Sequence, residues 1–151
     1  MSYMQAMSAP LYNTDILRLA ASIPHHQRLA EPRASVEKRS PVCGSRVTVD
    51  VRMDEAGRVE AIGLEVRACA LGQASASLMA AQALGRSADE LADARDRLTA
   101  YLAGSGDDLE FWPGLAVLKP ARDYPARHAS IRLGFEAVAE AAAQALVGAR
   151  N

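Results

Sequence analysis

Ala68-Cys69-Ala70-Leu71-Gly72-Gln73-Ala74-Ser75-Ala76-Ser77 carries one of only two cysteines in the chain. It places that thiol at the end of a strand-like segment and immediately before a helix. Backbone N–H groups at a helix start have no intrahelical partner and favour negative charge, and so favour thiolate over thiol. A cysteine in this position suits reactive chemistry or metal binding. The other thiol lies in Ser40-Pro41-Val42-Cys43-Gly44-Ser45, a turn-like sequence that leads into the most regular strand. If that strand pairs with the one ending at Ala68, Cys43 and Cys69 fall at neighbouring positions on one edge of a sheet.

The segments between the two thiols support that pairing. Val47, Val49, Val51 and Met53 alternate with Thr48, Asp50 and Arg52, the period of a strand with one buried and one wet face. Asp54-Glu55-Ala56-Gly57 supplies a turn. The next strand runs through Val59, Ala61, Ile62, Leu64 and Val66, and its apolar phase slips by one residue, which predicts a bulge near Gly63. Upstream, Arg33 to Ser40 alternates weakly and is rich in charge, as an edge strand should be. A three-stranded antiparallel meander follows.

Outside the meander the periodicity is helical. Met1 to Ala9 shows no pattern and reads as a frayed start, but Tyr12, Ile16, Leu19 and Ile23 mark an amphipathic helix that Pro24 ends. His25-His26 then reads as a solvated turn, with metal binding the alternative. Beyond Cys69, a helix should bury Leu71, Ala74, Leu78 and Ala81 and stop near Gly85. Small residues at its start, Gly72 and Ala74 to Ala76, allow either tight packing or close approach of an inorganic group. Ser87-Ala88-Asp89-Glu90 has the form of a capping box for a further helix. The long apolar connection from Gly104 to Tyr124 should cover something, with Trp112 as a core plug beneath it. Ser130 reads as the N-cap of the last helix, whose stripe is Ile131, Phe135, Val138 and Ala142.

These motifs resemble the U-type iron–sulfur cluster assembly scaffolds, the IscU, SufU and NifU N-terminal family. The likeness rests on Ser-Pro-Val-Cys-Gly-Ser, two strands, Ala-Cys-Ala-Leu-Gly-Gln-Ala-Ser-Ala-Ser, and later Pro125-Ala126-Arg127. It extends over most of the chain and is nearest the SufU branch, which has a long segment before Pro-x-Arg. It implies an α+β fold, a three-stranded antiparallel sheet packed against helices, of the SufE/NifU-like kind. Two departures stand out. The family usually has Cys-Gly-Asp where this chain has Cys43-Gly44-Ser45, and a third cysteine where it has Ser130; the branch histidine position is Ala129.

The resemblance further implies a non-enzymatic scaffold on which iron and sulfide meet before transfer to apo-proteins. Cys43 and Cys69 would be its ligands to iron or a [2Fe–2S] cluster, with zinc as another candidate ion. Arg127 would offer charge to a thiolate or persulfide, and His128, close in sequence to the family's histidine position, is a third candidate ligand. A cysteine desulfurase is the implied sulfur donor. Two other readings stay open: a sulfur acceptor or regulator of the desulfurase that holds no cluster, and a degenerate fold kept as a binding module. Because one chain offers only two thiolates, a cluster-loaded homodimer completes the usual four ligands.

Composition sets bounds on all of this. The 151 residues are 50% hydrophobic with a net charge of −1, which suits one domain over residues 1–151. No basic cluster is interleaved with aromatics, so nucleic acid is not an expected partner. Two cysteines are too few for a secreted disulfide framework, and no apolar run reaches transmembrane length; a cytoplasmic protein without membrane contact is expected.

Overall fold

The computed structural model describes residues 11–41 and 44–150. Cys43 and the segment Met1–Ala9 lie outside the described residues. The element order is α1 (Thr14–Ala21), β1 (Ala34–Arg39), β2 (Arg46–Met53), β3 (Val59–Arg67), α2 (Ala70–Gln82), α3 (Ala88–Leu102), a 3-10 helix (Leu115–Asp123), a short 3-10 turn (Pro125–Arg127) and α4 (His128–Arg150). The three strands form one antiparallel sheet in the order β1-β2-β3, as the alternation predicts.

The apolar face of the sheet is built from register rows such as Val36, Val49 and Leu64, and α4 lies across it against β1 and β2. On its other sides α4 meets α2 and α3, so it is the central helix of the fold. Its Phe135, Ala137, Val138, Ala141 and Ala142 have no exposed surface. Small side chains allow sheet and two helices to approach one helix together, and dense packing of this kind is where most of the folding energy resides.

α2 departs from a one-sided stripe. Nine of its residues are buried, including Ser75 and Ser77, because it is held between α1 and α4. The buried hydroxyls are satisfied: Ser75 Oγ donates to Ile131 O at 2.6 Å, and Ser77 Oγ to Ser22 O at 3.5 Å. Ala81, expected inside, is exposed, and Met79 takes the interior place. The helix ends at Gln82 rather than at Gly85, which adopts a left-handed φ of 85° and donates its N–H to Val59 O. The capping box of α3 forms as predicted, with Ser87 and Glu90 exchanging hydrogen bonds.

Two expectations about the strands are corrected. The register shift falls between Arg52 and Met53, opposite Glu60, while Gly63 pairs regularly with Asp50. The extra residue at Glu60 keeps Val59 and the Ile62, Leu64, Val66 series on the same buried face. Gly63 has a different role: a Cβ there would collide with the carbonyl of Gln27 and lie 2.9 Å from Leu29 N. The segment after α1 crosses the sheet at that point as a strap. The second correction follows from it, since Thr48 and Asp50, expected on a wet face, are buried.

Asp50 fastens the strap. It accepts from Arg28 Nε at 2.7 Å, Arg28 Nη2 at 3.0 Å, Leu29 N at 2.9 Å and Ser35 Oγ at 2.6 Å. Burial pushes its pKa up, but the hydrogen bonds from Arg28, Ser35 and Leu29 more than offset this and hold it below the usual aspartate range. The strap also covers the outer edge of β3. Leu64 N donates to His25 O at 2.9 Å, and Val66 N to His26 Nε2 at 3.3 Å. The histidine pair is therefore exposed, as expected of a turn, yet tied to the sheet edge.

The connection from Gly104 to Tyr124 covers α2. Trp112 is 1% exposed, meets Phe135 edge-on at 5.1 Å, and donates Nε1–H to Leu78 O at 2.8 Å. Arg86 stacks on its other side at 4.3 Å. This is the expected plug, although the second part of the connection, Leu115–Asp123, is 3-10 helix rather than open loop. Among the described residues, no helix is long and apolar enough to cross a membrane.

Candidate functional site

The site is assembled where three elements begin. Cys69 is the N-cap residue of α2, in an extended conformation, and its carbonyl accepts the first helical bond from Gln73 N at 2.8 Å. Its thiol is free, half-buried, and without a hydrogen bond among the described residues. β3 delivers it: the strand ends at Arg67, two residues before Cys69.

Ser45 enters from the β1–β2 turn. Ser40 N donates to Ser45 O at 2.8 Å and Gly44 N to Ser40 O at 3.3 Å, closing the β1–β2 connection. Gly44 takes φ of 74°, a conformation that costs a side-chain-bearing residue roughly 1 kcal/mol or more. Ser45 is then 4% exposed and accepts from Ser130 Oγ at 2.8 Å. Ser130 is 1% exposed and stands in the first turn of α4, which begins at His128. The expectation that Ser130 caps this helix is corrected, because α4 begins two residues earlier at His128 and places Ser130 inside its first turn, where its hydroxyl donates to Ser45 Oγ.

Gly72 joins the thiol to the hydroxyl pair. A Cβ on it would lie 2.8 Å from Ala68 Cβ, 3.3 Å from Ser130 O and 3.4 Å from Ser130 Cβ. The first turn of α2 thus rests directly on the first turn of α4. That contact and the pairing of Arg46 with Arg67 put the start of α2, which Cys69 caps, at the end of the sheet where Ser45 and Ser130 meet.

The remaining candidates lie at the side. His128 opens α4, and its Nε2 faces Ala121 O and Arg122 O at 3.0 Å each. Two carbonyls on one ring nitrogen call for a proton there, which leaves Nδ1 as the nitrogen with a free lone pair. Arg127 ends the short 3-10 turn, half-buried, with no ion pair or side-chain hydrogen bond among the described residues. The described residues contain no cluster of three or more His, Cys, Asp or Glu side chains able to hold a metal, and Cys43 is not among them. The hard hydroxyls of Ser45 and Ser130 are poor substitutes for thiolate or imidazole toward iron or zinc.

The model of the NifU-like N-terminal domain matches residues 11–107. The chain belongs to that family. Among solved structures, an N-terminal NifU-like protein from Brucella abortus is 41% identical to this NifU-like chain, with a TM-score of 0.86, covering 93% of this chain and 98% of its own. The SUF-system scaffold of Fervidobacterium islandicum AW-1 is 20% identical with a TM-score of 0.78, covering 89% of this chain and 98% of its own, a likeness of fold. In sequence, the iron–sulfur cluster assembly scaffold protein IscU of Streptococcus pyogenes serotype M1 is 26% identical over 119 residues, 78% of this chain and 74% of that protein. Thermotoga maritima IscU is 24% identical over 131 residues, 87% of this chain and 92% of that protein. The family and fold expected from the cysteine motifs are therefore those of the NifU-like N-terminal domains.

Reading along the sequence singles out neither Asp50 as an anchor nor the arginines around the thiol edge. Both depend on which residues stand side by side across the sheet.

Proposed function

We propose that this NifU-like domain is an iron–sulfur cluster assembly scaffold: a carrier, not an enzyme, that receives iron and sulfide as cargo and passes a cluster to apo-proteins in the cytoplasm. The observation that carries the reading is the half-buried thiol of Cys69 at the helix start, free of hydrogen bonds among the described residues, at the end of the sheet where Ser45 and Ser130 meet. Helix N–H groups there favour an anionic ligand sulfur. Cys43, in the adjoining turn sequence, is the second thiolate. A cysteine desulfurase is the proposed sulfur donor, with Arg127 available to a persulfide anion, and Nδ1 of His128 is the only part of that ring offered to a metal.

A [2Fe–2S] cargo takes four ligands, usually thiolates. One chain supplies two, so the loaded form is a symmetric pair of chains contributing Cys43 and Cys69 each. Anaerobic reconstitution with ferrous iron and sulfide tests the whole reading. Thiolate-to-iron absorption, about two irons per pair and a doubled mass by light scattering are expected. Protein that gains persulfide sulfur but no iron would replace it with a second reading, a sulfur acceptor for the desulfurase. The Ser130–Ser45 hydrogen bond favours that second reading, because it puts two neutral hydroxyls where the family usually has an aspartate and a third cysteine.

A further inference from the structure

We infer that the outer face of the sheet, at the end bearing Cys69, is a docking surface for a carboxylate-rich segment of a protein partner, gripped by Arg39, Arg46 and Arg67. Arg39 stands directly opposite Arg46 in the β1–β2 register, and Arg46 directly opposite Arg67 in the β2–β3 register. Residues directly opposite in antiparallel strands point to the same side, with Cβ atoms about 5 Å apart. Val47 and Val66, their neighbours, are buried in the core beneath the helices, so the three guanidiniums project from the other side.

Like charges set side by side in this way destabilise a sheet by a few tenths of a kcal/mol or more per pair. Folding by itself gives no reason for the row. Its counter-charges are incomplete: Glu37 serves both Arg39, at 2.6 Å, and Arg46, at 3.8 Å, while Glu65 serves Arg67 at 3.5 Å and is shared with Arg28 of the strap at 3.8 Å. Glu37 and Glu65 both lie one outward row further from the thiol, on either side of Thr48. The outermost row, next to Ser40, Ser45 and Cys69, is cationic throughout, and the side chains of Arg39 and Arg67 are 65% and 67% exposed.

The chemistry selects the occupant. Guanidinium forks spaced at the strand interval match carboxylates bidentately. A phosphate backbone would meet Glu37 and Glu65 directly behind the row, and the register rows of this face hold no aromatic side chain on which a base could stack. A peptide segment with acidic side chains at alternate positions meets the row without crossing the glutamates. Arg67 precedes Cys69 by two residues, so a partner held there has its adjoining surface at the thiol. The inference rests on the proposed scaffold reading only in making Cys69 the destination.

The test titrates the full chain, without iron, into three fluorescent probes at low salt: a 12-residue Asp/Glu-rich peptide, its Asn/Gln counterpart, and a 12-nucleotide oligothymidylate. The acidic peptide should bind, weaken steeply with added NaCl, and lose about tenfold or more in affinity with Arg39→Gln/Arg46→Gln/Arg67→Gln. Arg95→Gln/Arg97→Gln on α3 should leave it unchanged. The single exposed change Arg67→Gln gives a smaller loss and guards against misfolding of the triple variant, which thermal melting also checks. Equal binding of the neutral peptide, unchanged binding by the folded triple variant, no binding of the acidic peptide, or tighter binding of the oligonucleotide would each overturn the inference. Since no cluster is involved, these outcomes are independent of whether reconstitution succeeds.

Discussion

Ser130 Oγ donates a 2.8 Å hydrogen bond to Ser45 Oγ, tying the first turn of α4 to the residue that enters β2. Both side chains are almost completely buried. In a scaffold reading these hydroxyls occupy the places of a soft thiolate and an anionic oxygen. Restoring them by Ser130→Cys with Ser45→Asp should raise zinc and ferrous affinity at least tenfold in a chelator competition. An unchanged affinity would mean that the surrounding pocket no longer accommodates the ion.

The single change Ser45→Asp should behave differently. It places a carboxylate at a site 4% exposed, and an uncompensated buried charge costs on the order of 3 kcal/mol. Urea unfolding should show that loss in metal-free protein and its partial recovery with saturating zinc in the double variant.

Cys69→Ala removes a half-buried sulfur that makes no hydrogen bond among the described residues. Stability should fall by about 1 kcal/mol or less, while iron uptake on reconstitution and the accompanying mass increase disappear. Retention of both would dismiss this thiol as a ligand.

Gly63→Ala should be among the most damaging small substitutions. The new methyl would be driven into the backbone of the strap at Gln27 and Leu29, which has no flexible side chain to give way. Overpacking of this kind costs about 1–3 kcal/mol, measurable as a lower urea midpoint, and hydrogen exchange should accelerate at Leu64 and Val66, whose N–H groups the strap accepts.

Acid should loosen the same strap. Asp50 titrates below its unfolded value of about 3.9, so the folded state binds fewer protons than the unfolded one between the two values. Its contribution to stability is complete above about pH 4 to 5 and is lost as pH falls through the folded value. Asp50→Asn should flatten that part of the stability profile and cost about 2 kcal/mol at neutral pH through the weakened bonds to Arg28, Ser35 and Leu29. An identical acid limb in the variant would assign the transition to other carboxylates.

The meander, the capping box of α3, the plug at Trp112 and the family were all legible in the order of residues. Each depends on neighbours within a few positions: alternation for β2, Ser87 with Glu90 for a helix start, a cysteine between strand and helix for the motif. What could not be read locally was which side chains meet across the fold. Asp50 looks like any polar residue on a wet strand face until the strap brings Arg28 and Leu29 over it. Gly63 looks like a bulge until the backbone of Gln27 is seen against it, while the true bulge at Glu60 is decided by pairing with β2. Ser130 looks like a helix cap until α4 is seen to begin at His128, with Ser45, 85 positions away, as the partner of its hydroxyl. The row Arg39, Arg46, Arg67 exists only in the register of three strands. Local patterns select secondary structure because φ, ψ and short-range hydrogen bonds respond to nearby residues; burial and contact over long separations are set when sheet and helices pack, and those decided the chemistry around the thiol.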